Sequence, residues 1–338
     1  MHSTKSVPEL WRLMQSHRVT AVIYVAAKLG IAELLRDGPL SVSELAEATS
    51  ADEQALERLL IALSTIGICT LAGEDRYSLT EMGAGLDGNS EQSFKAWAMF
   101  EGPVLSDRWN GMLDSIMTGK TAAQLQGVSN SFDLMARSPE TVSIFNAAMV
   151  DLTRFVTPDI LGAYDFGGIT HLMDVGGGSG ELISAIARQY PHLRGTVFDL
   201  PRCAESAINH LSRMGVSDRI EFLPGDFFQT MPSGSDAIIM KSVLHDWNGE
   251  RSLMILENCR RALPMNGTLL LVERIMPEFP SVSDAHREQA MSDLNMLRGP
   301  GGLERTEKKN RRLLEETGFH QLANYPAGLF SVIEARVR

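Results

Sequence analysis

From His171 onward, short apolar runs alternate with amphipathic helical stretches, and this rhythm restricts the fold more tightly than anything else in the chain. Candidate strands are HLMDVG (171–176), TVFDL (196–200), RIEFLPGD (219–226), DAIIMKSVL (236–244) and TLLLVERI (268–275). Helices are expected over Glu181–Tyr190, Ala204–Met214, Gly249–Leu263 and Glu307–Thr317. Short apolar strands separated by helices make a largely parallel sheet covered on both faces. FHQLANYPA and GLFSVIEARVR then close the chain as an expected antiparallel pair at that sheet. The predicted fold class is α/β and Rossmann-like.

The chain has 338 residues, enough for two domains, and its first part follows a different rule. Leu10 to Leu29 is apolar on more than one face, which predicts a helix buried in a core or a subunit interface. Ser41 with Glu44 forms a capping-box pattern, and Asp52 opens a second helix with Leu56, Leu59, Leu60 and Leu63 on one face. After Gly67, ICTLAGEDRYSLT predicts two short strands around a turn. Helix, turn, helix and hairpin together describe a winged-helix arrangement. DNA recognition would need a basic face there, because phosphate neutralisation supplies most of that affinity. The helix offers Asp52, Glu53 and Glu57 against Arg58, and the whole chain carries a net charge of −11. A dimerisation module fits better, and neither nucleic acid nor an anionic membrane is an expected partner.

No run reaches the roughly 18–20 apolar residues of a membrane-spanning helix, and the start lacks the apolar core of a signal peptide. Cys69, Cys203 and Cys259 lie far apart, which gives neither a disulfide framework nor a zinc site. A cytoplasmic location is expected. Between Ser90 and Asp165 the pattern is helical and dense in Phe, Trp and Met. Such residues mostly build core, but their density also suits the wall of an apolar pocket.

The sharpest local signal is Asp174-Val-Gly-Gly-Gly-Ser-Gly180, which ends a strand and opens a helix. A glycine-rich turn lets backbone N–H groups approach a ligand closely. Alone it is only moderately specific. Asp199 ends the second strand, where a carboxylate can accept both hydroxyls of a ribose. Asp226 and Phe227 end the third, placed for an adenine amino group and an aromatic cover. Either aspartate taken singly is a plausible turn residue. Acids at successive strand ends point to a ligand, because ligands gather there in open α/β sheets.

In order, LMDVGGGSGE, TVFDLP, PGDFF, KSVLHDWNGERSLMILENCRRAL, VERIMPE and GGLERTEKK resemble the S-adenosylmethionine-dependent O-methyltransferases of the caffeate and hydroxyindole type. That family includes bacterial members acting on phenazines and polyketides. The resemblance implies a Rossmann-like class I methyltransferase domain over 166–338 and a mainly helical, winged-helix-like dimerisation domain over 1–100. A helical linker and substrate-pocket segment would occupy 101–165. It also implies a homodimer, S-adenosyl-L-methionine as cofactor and no metal. Asp174, Gly176, Gly177 and Gly178 would surround the methionine end of the cofactor. Asp199 with Leu200 would take the ribose, Asp226 and Phe227 the adenine, and Lys241 the cofactor wall. Without the motif, Lys241 would pass for a surface lysine. Arg154 and Thr153 would be candidates for the cofactor carboxylate, though no motif fixes them.

An activated methyl leaves the protein two tasks: aligning the acceptor oxygen and removing its proton. A phenol has a pKa of about 10, so a neutral imidazole against it acts as a base at neutral pH. His245, expected at the end of the fourth strand, is the expected base. Glu273 is expected to accept from its far nitrogen, with Glu304 as a second acid. Met291, Asn295 and Met296 would form the acceptor wall, the two methionines serving largely as helix packing with some exposure to the pocket. The expected acceptor is a small, flat aromatic bearing a hydroxyl. The alternatives are N-methylation, another reaction of the same cofactor, or a winged-helix transcription regulator.

Overall fold

The computed structural model describes residues 6–338. They divide into two compact units: the residues up to Asp107 with Ser138–Leu152, and Arg108–Arg137 with Thr153–Arg338. The segment 101–165 is therefore shared between the units and forms no body of its own.

The first unit begins with a helix over Ser6–Leu29. A helix over Val42–Thr49 follows, opened by the reciprocal Ser41–Glu44 capping box at 3.2 and 2.7 Å. Asp52 caps the next helix, Glu53–Thr65, by accepting from the Ala55 N–H. The hairpin Cys69–Leu71 and Arg76–Leu79 completes the expected order. Leu45, Leu56, Leu60 and Leu63 are buried together with Ile31 and Leu35. Each fully buried leucine contributes about 1.5–3 kcal/mol. Of the two kinds of burial expected for the first helix, the chain's own core does not cover Leu10, Trp11, Leu13 and Met14, which are exposed.

The second unit is built on a seven-stranded sheet: β1 (His171–Val175), β2 (Arg194–Asp199), β3 (Ile220–Pro224), β4 (Ala237–Lys241), β5 (Thr268–Glu273), β6 (Phe319–Ala327) and β7 (Phe330–Val337). Their order is β6-β7-β5-β4-β1-β2-β3. The first five run parallel, and β7 inserts antiparallel between β5 and β6. This is the class I methyltransferase arrangement expected from the sequence. Helices α1 (Glu181–Gln189), α2 (Ala204–Arg213), α3 (Gly249–Ala262), α4 (Asp284–Arg298) and α5 (Glu307–Glu316) accompany it. Met173, Val175, Ile238, Met240, Leu269, Leu271, Ile333 and Ala335 form one continuous core with α3 residues Ile255, Leu256 and Cys259. Ile275–Met276 pairs in parallel with Arg305–Thr306 as a separate two-stranded ribbon.

The fourth strand stops at Lys241 instead of running to Leu244. Ser242 adopts a left-handed φ of 55°, and Leu244–Asp246 forms a 3₁₀ turn. The cause is tertiary: Oε1 of Glu273 accepts from the N–H groups of Val243 and Leu244 at 3.2 and 2.9 Å, satisfying donors that a strand would have paired. Among the described residues, no helix is long and apolar enough to cross a membrane.

Candidate active site

At the C-terminal ends of β1 and β2 the chain forms a glycine cradle. Gly176 has φ +72° and Gly178 φ +58°, values that side-chain-bearing residues rarely adopt. A Cβ on Gly176 would stand 2.8 Å from Val243 and 3.9 Å from the Phe227 ring, so the loop approaches both closely. Asp199 organises the loop: its Oδ2 accepts from Gly178 N–H at 2.8 Å and its Oδ1 from Leu200 N–H at 2.6 Å. Asp226 accepts from Phe228 N–H at 2.9 Å in a local turn, which leaves Phe227 packed against the glycine loop.

Beneath the cradle, Asp174 is buried and its Oδ2 has no hydrogen-bond partner. Burial raises its pKa to about 7, against the pull of Lys241. Lys241 is pushed down to about 8 by burial, outweighing Asp174 and Glu273. Arg154 lies 3.5 Å from Glu181, the first residue of α1.

His245 sits on the 3₁₀ turn, not on the strand. Its Nδ1 is 3.0 Å from Oε1 of Glu304, and the same oxygen accepts from Ser292 Oγ at 2.7 Å. The nearest Glu273 oxygen is 3.9 Å from Nδ1. The expected orienting role of Glu273 thus belongs to Glu304, because Glu273 spends its Oε1 on the turn's backbone. Glu304 is fixed in turn by its N–H, which donates to Asp293 at 2.8 Å. On the other side of the ring, Nε2 lies 3.6 Å from Asp246 Oδ1.

Burial alone would depress the imidazolium, but the carboxylates of Glu273, Glu304 and Asp246 outweigh it and hold His245 at about 9. Burial carries Glu273 to about 7 and Asp246 to about 6. Glu304 lies below its ordinary value: its burial is overcome by His245 and by the hydrogen bonds from His245 and Ser292. The surrounding acids therefore favour the imidazolium, against the neutral imidazole that the sequence led one to expect at pH 7.

Two residues that sequence reasoning missed hold this geometry. Ser292 fixes the oxygen that His245 shares. Arg305, buried, donates to the carbonyls of Leu244 and Trp247 at 2.8 and 2.7 Å and to Ser252 Oγ at 2.9 Å, locking the turn around His245. The run GGLERTEKK contained the signal, as an arginine directly after the acid. Trp247 makes edge contacts with Phe227 and Phe228 and a tilted contact with Phe132 at 6.2 Å. On α4, Met296 is buried, as helix packing requires, Asn295 is half-buried, and Met291 is 47% exposed.

Comparison with known proteins follows the same lines. Residues 109–320 match the model of an O-methyltransferase domain, and residues 11–86 that of an O-methyltransferase dimerisation domain. The chain is 36% identical to the phenazine O-methyltransferase PhzM of Lysobacter antibioticus over 97% of its own length and 95% of the relative's. It is 31% identical to the 8-amino-8-demethylriboflavin N,N-dimethyltransferase of Streptomyces davaonensis, covering 94% and 92%. Among solved structures, human N-acetylserotonin methyltransferase in complex with S-adenosylmethionine superposes with a TM-score of 0.91 at 26% identity, over 99% of both chains.

Proposed function

The chain belongs to the S-adenosylmethionine-dependent O-methyltransferases of natural-product type, and we propose that it methylates a hydroxyl of a small aromatic compound with His245 as general base. The observation that carries this is the pairing of Nδ1 with Glu304 at 3.0 Å, which commits one ring nitrogen and leaves Nε2 as the one to take the acceptor's proton. A positioned base is worth about 10²–10⁴-fold in rate. Its raised pKa, about 9, makes the imidazole a stronger acceptor for a phenolic proton. Near pH 7 only about 1% of a group with that pKa is in the base form. Asp246 and Glu273 stabilise the imidazolium that forms when the proton arrives.

The cradle fits S-adenosylmethionine. Asp174 offers an unpaired buried oxygen beside the glycine turn, and Asp199 stands at the end of β2 with its carboxylate on the loop. In this reading Asp174 and Gly176–Gly178 hold the methionine end, and Asp199 and Leu200 the ribose. Asp226 and Phe227 hold the adenine, and Lys241 lies along the wall. When bound, the cofactor supplies a methyl group activated on a sulfonium, so the chain has only to bind, orient and deprotonate. Ligand atoms of His245, Glu273 and Glu304 lie within 4.8 Å of one another, close enough for a cation. Nδ1 already pairs with Glu304 at hydrogen-bond distance, and we assign no metal there. Met296 and Asn295 line the acceptor side in this reading, with Met291 at its rim.

Residues 1–100 would carry a homodimer contact, supported by the match to a dimerisation domain and by the exposed apolar face of the first helix. The phenazine relative supports a fused aromatic acceptor. The riboflavin relative's name favours a second reading, transfer to an aromatic amine. Incubation with the cofactor and a panel of phenols, hydroxyphenazines, hydroxylated polyketides and aromatic amines, read by product mass, tests both. A gain of one methylene on a phenol supports the first reading, and a gain only on amines overturns it in favour of the second.

A further inference from the structure

Three buried arginines in the second unit differ in how they are satisfied. Arg305 gives its N–H groups to two carbonyls and a hydroxyl, and Arg274 is paired with Glu288 at 2.9 Å. Arg298, in the last turn of α4, is 8% exposed yet has no carboxylate within ion-pair distance among the described residues. Its Nε donates to the Arg108 carbonyl at 2.8 Å and its Nη1 to Ser115 Oγ at 3.1 Å. A guanidinium has five N–H donors, so three remain without a described acceptor. A buried charge without a partner calls for an explanation.

Two details describe the surroundings of the fork. Nη2 donates to nothing described, yet it is not among the sealed, unsatisfied atoms of the chain. On one side Nη2 packs against Gly111, where a Cβ would stand 2.0 Å from it, so the guanidinium needs a glycine there. Arg298 also shares a helix face with Met291 and Asn295, at spacings of seven and three residues. Ser292, which bonds Glu304 beside His245, lies six residues earlier, about 9 Å along the helix axis. That is about the length of a fused bicyclic or tricyclic aromatic.

We propose that Arg298 pairs with a carboxylate carried by the methyl acceptor, so that the substrate is a hydroxylated aromatic acid. The hydroxyl is presented to His245 and the carboxylate to Arg298 at the far end of α4. This rests on the reading of His245 as the base. The two remaining Nη2 donors and the second Nη1 donor give the planar fork that a carboxylate matches and an ammonium does not.

The test compares matched pairs of hydroxylated naphthalenes and hydroxyphenazines with and without a ring carboxylate. In wild type, kcat/KM is expected to favour the acid by at least about tenfold, since a buried donor left unpaired is penalised. Arg298→Gln should bring the ratio close to one, with Arg298→Lys between. Calorimetric titration of naphthoate, which has no hydroxyl to methylate, into protein saturated with S-adenosylhomocysteine gives a readout free of catalysis. It should bind wild type and bind Arg298→Gln at least about tenfold more weakly. Equal use of both members of each pair by wild type overturns the proposal. So does a ratio unchanged in Arg298→Gln while both rates fall, the result expected of a strut between α4 and residues 108–118. If the variant fails to fold, the wild-type ratio and the naphthoate titration still decide. Naphthoate binding that Arg298→Gln abolishes, without methylation of any phenol, would instead sink the reading of the reaction and with it the hydroxylated substrate, leaving only the carboxylate site at Arg298.

Discussion

Glu304 and His245 share one short contact, 3.0 Å from Oε1 to Nδ1, and Ser292 bonds the same oxygen from the helix above. That contact orients the imidazole and, with Glu273 and Asp246, favours its charge. The pH dependence of transfer follows from it. The base form of His245 is scarce below about 9, so kcat/KM should rise with pH toward that value. Glu304→Gln removes one of the carboxylates that raise the pKa, so the rising limb should move to lower pH. Its plateau should fall by about 10–100-fold as the ring loses its orientation. A pH–rate profile from 6 to 10 measures both, and a limb that stays in place would remove Glu304 from the charge balance.

His245→Ala should cut transfer by about 10²–10⁴-fold while leaving affinity for S-adenosylhomocysteine nearly intact. The deficit should shrink as pH approaches the acceptor's own pKa, where the phenol has already lost its proton. Wild-type rates in the variant across that range would exclude the residue from catalysis.

Glu273→Gln should cost less than Glu304→Gln. The amide oxygen can still accept from Val243 and Leu244, which keeps the turn closed. Glu273→Ala leaves both donors without their acceptor and should destabilise the protein by about 1–3 kcal/mol for each donor that stays buried. Thermal unfolding of the two variants separates these effects; equal losses in both would contradict the backbone role.

Asp199→Ala should weaken S-adenosylhomocysteine binding by about 10–100-fold, on the scale of hydrogen bonds to a charged group. The same change frees the Gly178 N–H and loosens the loop. Calorimetric titration alongside thermal unfolding distinguishes lost contacts from lost folding. Unchanged affinity would take Asp199 out of the site.

At Gly302 the chain passes so close to the base's turn that a Cβ would lie 1.9 Å from the His245 carbonyl oxygen and 2.5 Å from Trp247 N. Backbone cannot yield as a flexible side chain can. Gly302→Ala is therefore expected to cost about 1–3 kcal/mol or more and to lower kcat by displacing His245. A variant with wild-type stability and kcat would show that the turn tolerates displacement.

The sheet was legible because each strand is a short apolar run, a pattern set by burial on both faces. The end of β4 was not, since Ser242 turns under the influence of a carboxylate thirty-one residues away, and local periodicity carries no such information. Both acids of the site could be named from the sequence, but their order around the ring depends on which one the backbone of Val243 and Leu244 claims first. Arg298 and Arg305 look alike in sequence, each in a polar or glycine-rich setting; only the acceptors around them tell a lock from an open fork. The first helix read as buried because it is apolar all round, and that composition does not say whether its cover comes from its own chain or another.

The two-residue ribbon of Ile275–Met276 and Arg305–Thr306 begins just after Glu273 and just after Glu304. It pinches the chain shut at the neck of an excursion that includes all of α4. The two acids stand at the base of that excursion, and Met291, Asn295, Met296 and Arg298 lie within it. A change of length or composition in the excursion can redraw what the protein accepts while the neck keeps the acids in register with the histidine. On the proposed reading the excursion is an interchangeable cassette on a fixed mount, and grafting residues 277–303 from a relative with another acceptor should transfer preference without moving His245.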